Sequence, residues 1–241
     1  MRKFIASIAL AALCICSCDH TKDLVIIHFN DTHSHLDPMR SGDGGVIERA
    51  AFVDSMRAAR GVDNVLLLHA GDFSQGSSYF TILKGDLEID LINAMGYDCV
   101  TLGNHEFDNG IEELGRRVGN LSCPCVCANY DFSTFEAGRY ITPFAIVRKA
   151  GMNIGIVGVL CDISQVVDRN IADRIPVLGS YEDMVNKWAS YLRDEARCDM
   201  VAVLSHAGYE RDTAAVSSLH GVDIVIGGHS HTNLPEPRLV K

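Results

Sequence analysis

The sequence predicts an α/β fold, on three observations. Short runs rich in Val, Ile and Leu alternate with stretches of helical periodicity along most of the chain. The runs at 24–29, 65–68, 100–102, 200–204 and 222–226 are too continuously apolar for a half-solvated strand, and read as parallel strands buried on both faces. Each of these five gives way, at its carboxyl end, to Asp, His or Asn. Ligands of open α/β sheets collect at that end, so the chain is expected to deliver these side chains to one edge of one sheet.

The elements follow in order. After the first strand, Gly44-Gly45 punctuates a loop, and 46–60 reads as a helix with Ile47, Ala50, Ala51 and Met56 on its apolar face. The second strand ends at Asp72. A helix over 87–95 carries Ile89, Leu91, Ile92 and Met95 and is closed by Gly96. The third strand leads to Asn104, and 111–118 is a helix. The middle differs: 126–130, 140–148 and 152–160 are three strand-like runs in close succession, which suggests a second sheet. Met184, Trp188, Tyr191 and Leu192 mark a helix over 181–196, after which strands and helices alternate again. No repeat or linker divides the mature chain, and the full sequence of 241 residues at 47% hydrophobic content suffices for one sizeable domain.

The 21 basic and 31 acidic side chains leave a formal net charge of −10. Such a surface disfavours nucleic-acid backbones, and no nucleic-acid partner is expected. A small anionic substrate would need local positive charge, which metal ions can supply. Arg2 and Lys3 precede an apolar run over 4–15, too short to span a membrane and read as an export signal. Ile15-Cys16-Ser17-Cys18 resembles a bacterial lipobox, which implies cleavage after a signal peptide at 1–17, lipid on Cys18 and a short tether at 18–23. The expected location is the bacterial cell envelope, on the periplasmic or outer-membrane side. The mature chain keeps six cysteines besides Cys18. Cys123, Cys125 and Cys127 repeat with a period of two, which places their sulfurs on one face of a strand and reads as core packing; one disulfide is left open.

The polar strand ends carry the chemistry. Asp31 and His33, two apart in an extended or turning segment, can reach one metal. Asp72, after Gly71, has two oxygens and can bridge two cations. Asn104 offers a carbonyl oxygen, and His206 and His229 offer imidazole nitrogens. Zn²⁺ accepts such N and O donors, and Mn²⁺ suits an oxygen-rich set. Any one of these residues alone reads as an ordinary turn or core residue. Five such elements at five strand ends read as a metal site. His28, His35, His69 and His220 are read as plain core or surface residues.

Asn30-Asp31-Thr32-His33, Gly71-Asp72 with Gly76-Ser77, Gly103-Asn104-His105-Glu106-Phe107-Asp108, His206 and Gly228-His229-Ser230-His231 together resemble the calcineurin-like metallophosphoesterases, and within them the 5′-nucleotidase branch. The resemblance covers about residues 24 to 235. It implies a four-layer α/β/β/α sandwich of the metallo-dependent phosphatase type, over 24–241, with two divalent metal ions between the sheets. It implies Asp31, His33, Asp72 and His231 as ligands of the first ion, and Asp72, Asn104, His206 and His229 as ligands of the second. His105 and Asp108 are implied as the catalytic pair, with Asn104 and His105 on the substrate phosphate.

The function this implies is metal-dependent hydrolysis of phosphate monoesters, foremost nucleotides. Two readings stand beside it: a cyclic-nucleotide, nucleotide-sugar or sulfur-ester hydrolase of the same fold, and a non-catalytic metal-binding half that docks a separate recognition domain. Such nucleotidases continue with further strands and a nucleotide-recognition domain. The sequence ends 10 residues after His231, and neither is expected in it. Either a partner chain supplies recognition or the substrate differs.

Overall fold

The computed structural model describes residues 23–42 and 44–240. The expected leader, Cys18 and all of the tether but Asp23 lie outside the described residues. Among the described residues, no helix is long and apolar enough to cross a membrane.

Two sheets form the centre. The first runs β1 (Val25–Phe29), β2 (Val65–His69), β3 (Cys99–Thr101), β4 (Cys125–Val126) and β5 (Ile141–Thr142), in that order and all parallel. The second runs β6 (Phe144–Lys149), β7 (Met152–Leu160), β8 (Met200–His206) and β9 (Ile224–Ile226), antiparallel between β6 and β7 and parallel thereafter. The helices are α1 (Gly45–Arg60), α2 (Ser78–Leu83), α3 (Asp86–Met95), α4 (Ile111–Val118), α5 (Arg169–Ala172), α6 (Tyr181–Asp194) and α7 (Tyr209–Ala215).

Alternation along the strands builds the layers. In β2, Val65 and Leu67 face Val53 of α1, Ile89 and Ile92 of α3 and Leu114 of α4. Leu66 and Leu68 face the other way, onto Ile154 and Ile156 of β7 and Leu204 of β8. On the far side of the second sheet, Val157, Val159, Val201 and Val203 meet Val185, Ala189 and Leu192 of α6. The result is the expected α/β/β/α sandwich. Each fully buried Leu, Ile or Val contributes roughly 1.5–3 kcal/mol, so the central layer alone couples the sheets strongly. Helix ends match their chemistry: Ser180 caps α6 by accepting from Asp183 N, and Gly96 ends α3 at φ 65°.

Three expectations need correction. The polar strand ends belong to two sheets, not one: β1, β2 and β3 in the first, β8 and β9 in the second. Nor do the three middle runs form the second sheet together. The run at 126–130 enters the first sheet through β4, with an isolated bridge from Tyr130 to Val177, and the run at 140–148 divides at Pro143. Pro143 has no N–H for a ladder, and the chain crosses there from one sheet to the other. On α1 the buried stripe is Val46, Ala50, Val53 and Met56, while Ile47 is 80% exposed and Ala51 is also exposed. The short helix α2 had no periodic signal.

All six cysteines of the described body are free thiols. Cys125 and Cys127 lie in the core under the outer helices, with Cys123 packed against it, as their period of two implied. Burial pushes the Cys123, Cys127 and Cys161 thiols up to about 12.

The sheets approach most closely where β7 crosses β4. Gly158 N donates to Pro143 O, Ala128 N donates to Gly158 O at 2.8 Å, and a Cβ on Gly158 would lie 2.1 Å from the Val126 carbonyl oxygen. Backbone cannot yield as a flexible side chain does. Gly158→Ala is therefore expected to cost about 3 kcal/mol and to lower the melting temperature by roughly 6–12 °C. A melting temperature within about 2 °C of the parent in a thermal scan would show that the two sheets are not in contact there.

Candidate active site

The carboxyl ends of β1, β2, β3, β8 and β9 converge at one edge of the sandwich. Parallel pairing of β1 with β2 continues past both strands as a zipper of turns: Asp31 N donates to Gly71 O, His33 N to Asp72 O and Ser34 N to Phe73 O, each at 3.0 Å. That zipper brings Asp31, His33 and Asp72 together. Asp31 then reaches the second sheet, where its carboxylate oxygens accept from His229 N at 2.9 and 3.0 Å. Asp72 reaches β3, and its Oδ1 accepts from His105 N at 2.9 Å.

The backbone is bent to achieve this. Asp31, His33, Asp72, His229 and His231 all sit at positive φ, between 43° and 75°. Non-glycine residues adopt that region at a cost, and such residues gather at functional sites.

All seven residues expected to hold metal come together. Asp31, His33 and His231 form one group of donors within 4.8 Å of one another, and Asp72, His206 and His229 form another. A third group, His33, Asp72 and His105, lies between them. Asp72 Oδ2 is 3.0 Å from His206 Nε2 and 3.9 Å from His33 Nε2, so this carboxylate is common to both sides. His33 Nε2 and His231 Nε2 are 3.0 Å apart. Asn104 Oδ1, buried in this space, has no hydrogen-bond partner, while His206 Nε2 faces the carboxylates of Asp72 and Asp31 at 3.0 and 3.9 Å. Buried polar atoms are normally satisfied. Carboxylate, imidazole and carboxamide donors converging at one place fit divalent cations.

His105 and Asp108 stand beside this set, with Nδ1 2.9 Å from Asp108 Oδ2. The bond to Asp108 raises the pKa of His105 against the opposing effect of burial. Burial lowers His33 and His229 instead. Burial also disfavours charge on Asp72 and His206, but their mutual contact outweighs it, so Asp72 is lowered and His206 raised. His33, His35, Asp72, Gln75, Gly76, Asn104, His105, His229 and His231 line a cavity of about 380 Å³. The lining holds no Lys, no Arg and no aromatic ring other than imidazole.

Sequence reasoning missed several residues here. His35 and Gln75 line the cavity, beside the Gly76 of the sequence motif. His69, by contrast, is a core residue, with Thr32 Oγ1 3.1 Å from its Nε2, and burial pushes it down to about 3. The most consequential omission is Glu106, which is fully buried. Its carboxylate accepts from Asp72 N at 2.9 Å, Ser74 N at 3.0 Å and Gly103 N at 2.6 Å. It thereby ties the turn after β2 to the turn after β3. Burial and the neighbouring Asp72 raise its pKa, while the N–H donors favour its ionised form. Arg117, 1% exposed, backs this clamp by donating to Ser74 Oγ and to Glu106 O. A sequence signal for Arg117 existed: it follows Leu114 by three, on the apolar face of α4.

The family model of the calcineurin-like phosphoesterases matches residues 24–233. The chain is 32% identical over 237 residues to the probable 5′-nucleotidase of Treponema pallidum (strain Nichols), an alignment covering 90% of this chain and 38% of that protein. Among solved structures, the 5′-nucleotidase precursor of Thermus thermophilus superposes with a TM-score of 0.79 at 32% identity, over 90% of this chain and 44% of that one. The NAD nucleotidase of Haemophilus influenzae gives 0.74 at 27% identity, over 86% and 43%. The chain thus spans 38% to 44% of the length of these proteins.

The Glu106 clamp is directly testable. In Glu106→Gln the amide NH₂ would have to face an N–H donor, leaving a buried clash of donors. The variant is expected to lose about 3 kcal/mol of stability in denaturant unfolding, since hydrogen bonds to a buried charge are worth roughly 1.5–3 kcal/mol each. A loss below about 1 kcal/mol would mean that the carboxylate does not hold the two turns.

Proposed function

The chain belongs to the calcineurin-like phosphoesterase family, and from that premise we propose that it hydrolyses phosphate monoesters, 5′-nucleotides foremost, at a centre of two divalent cations. The observation that carries this reading is the Asp72 carboxylate, common to two donor groups and flanked by the His105–Asp108 pair at one cavity. In this reading Asp31, His33, Asp72 and His231 hold one ion, and Asp72, Asn104, His206 and His229 hold the other. Zn²⁺ and Mn²⁺ both suit such donors. When bound, the ions supply Lewis-acid charge to the phosphoryl oxygens and to the attacking water.

The chain's own residues do the rest. Asn104 and His105 line the cavity, where they would meet a bound phosphoryl group. His105 commits Nδ1 to Asp108, which fixes the ring and leaves Nε2 to donate to a phosphoryl or leaving-group oxygen. The contact with Asp108 favours the protonated ring, as a donor to an anion requires. Binding a metal alone needs no such pair, which argues for an enzyme over a non-catalytic half.

The nucleotide class is supported by relatives described as 5′-nucleotidases and as an NAD nucleotidase. The cavity offers no Phe, Tyr or Trp ring for a base to stack on. Recognition of the nucleoside is therefore assigned to a separate domain or partner. The lipobox-like segment supports a lipid anchor at Cys18 and a place in the cell envelope.

Three outcomes are expected. A metal-supplemented screen of the purified chain should give kcat/KM values for several nucleoside monophosphates and an aryl phosphate within about tenfold of one another, because phosphate contacts are common to all of them. A preference above about 1000-fold for one nucleotide, some 4 kcal/mol of differential binding, would reveal a base pocket in this chain. His105→Ala should keep its metals by elemental analysis yet lose roughly 10²–10⁴-fold in kcat; turnover within a few-fold of the parent contradicts the assigned role. In cells, fatty-acid labelling should vanish in Cys18→Ser, and labelling that persists refutes that anchor.

A further inference from the structure

Asp212 is a buried carboxylate outside the proposed chemistry, standing on α7 behind the second sheet. Strand alternation decides what reaches it. In β8, Leu204 points between the sheets while Val201 and Val203 point outward to α6. Two residues on from Leu204, His206 is directed into the site, and Ser205 is directed out. In β9, Ile224 and Ile226 point inward and Val225 outward, so Gly227 also faces out. Both outward positions meet Asp212. Ser205 Oγ donates to Asp212 Oδ1 at 2.6 Å and accepts from Ala207 N at 3.1 Å. Asp212 Oδ2 lies only 2.6 Å from where a Cβ on Gly227 would stand, so any side chain there would displace the carboxylate.

We propose that Asp212 is a positioning residue for the metal centre: by bonding Ser205 and abutting Gly227, it fixes the separation of His206 and His229. The inference rests on the reading that those two histidines are ligands. Asp212 touches neither cation nor substrate. It acts from the opposite face of the sheet, through the residue before His206 and the residue two before His229. Glu106 does the same in the first sheet, where it ties the Asp72 turn to the Asn104 turn. Each sheet then carries one buried carboxylate that locks two adjacent ligand-bearing strand ends.

The test uses the full chain, stripped of metal and titrated with Mn²⁺ or Zn²⁺ against a chromophoric chelator. Asp212→Ala should weaken one of two binding steps by about 10–100-fold, the effect typical of partners behind metal ligands, and leave the other step within about threefold. Asp212→Asn keeps an oxygen for Ser205 and should recover most of the loss. Ser205→Ala should weaken the same step by a smaller factor. Leu192→Ala loosens the same sheet from α6, far from the ligands, and should lower the melting temperature while both steps stay unchanged. A parent chain that takes up no ion overturns the ligand assignment itself. A parent that binds two ions, with Asp212→Ala unchanged or with both steps weakened alike, overturns the positioning role alone. If Asp212→Ala fails to fold, Ser205→Ala decides: selective weakening supports the proposal, and unchanged binding overturns it.

Discussion

The placement of the Asp72 carboxylate governs the site. Its Oδ2 faces imidazoles from both sheets, and its Oδ1 is engaged by the backbone after β3. A carboxylate shared by two cations loses least freedom on binding when its backbone is already fixed. Here the immobility is built from buried hydrogen bonds: Glu106 grips Asp72 N, and the turn after β1 pairs with Asp72 O. Charge-assisted bonds of this kind are the stronger ones, and burial keeps water from competing for them. The consequence is a charged network in a place where apolar packing would be more favourable for folding.

That cost is visible locally and offset elsewhere. Five of the seven proposed ligands adopt left-handed backbone, Asn104 Oδ1 is buried without a partner, and several imidazoles crowd one space. Each is unfavourable for folding by itself. The three apolar layers lie below this edge and stabilise the sandwich without contributing chemistry. Strand ends suit both demands, because the ladder fixes the last residue and releases the next into a turn. A cation placed among these donors would satisfy Asn104 Oδ1, and an ion that binds only the folded chain would add to its stability.

Much of this was legible in the sequence because it is local. Apolar runs marked β1, β2, β3, β8 and β9 to within two residues, and the Asp, His and Asn residues at their ends are the ones that converge. What was not legible depends on partners distant in sequence. The exchange of sheets at Pro143 needs the position of β7 to be known, since residues 126–130 and 140–148 look alike as strands. Ile47 belongs by composition to a buried face, yet the buried stripe of α1 is set by where β2 lies. Glu106 sat in a motif recognised for its neighbours, and nothing in its spacing says that it points into the protein. His35 has no spacing signal either, because the turn that carries it to the cavity mouth is irregular.

Alternation along the strands explains why the braces and the ligands can be different residues. A strand residue reaches one face and its neighbour the other, so His206 enters the site while Ser205 leaves it for Asp212. A slip of one residue in the pairing of β8 would exchange the two, removing an imidazole from the centre and burying it under α7. Register is therefore a catalytic quantity in this fold as well as a structural one. Seven consecutive pairs with β7, from Ile154↔Met200 to Leu160↔His206, hold that register, and Gly158 lies among them at the point where the two sheets are closest. The ladder that holds β8 to β7 thus also sets which face of β8 presents His206 to the cluster of donors.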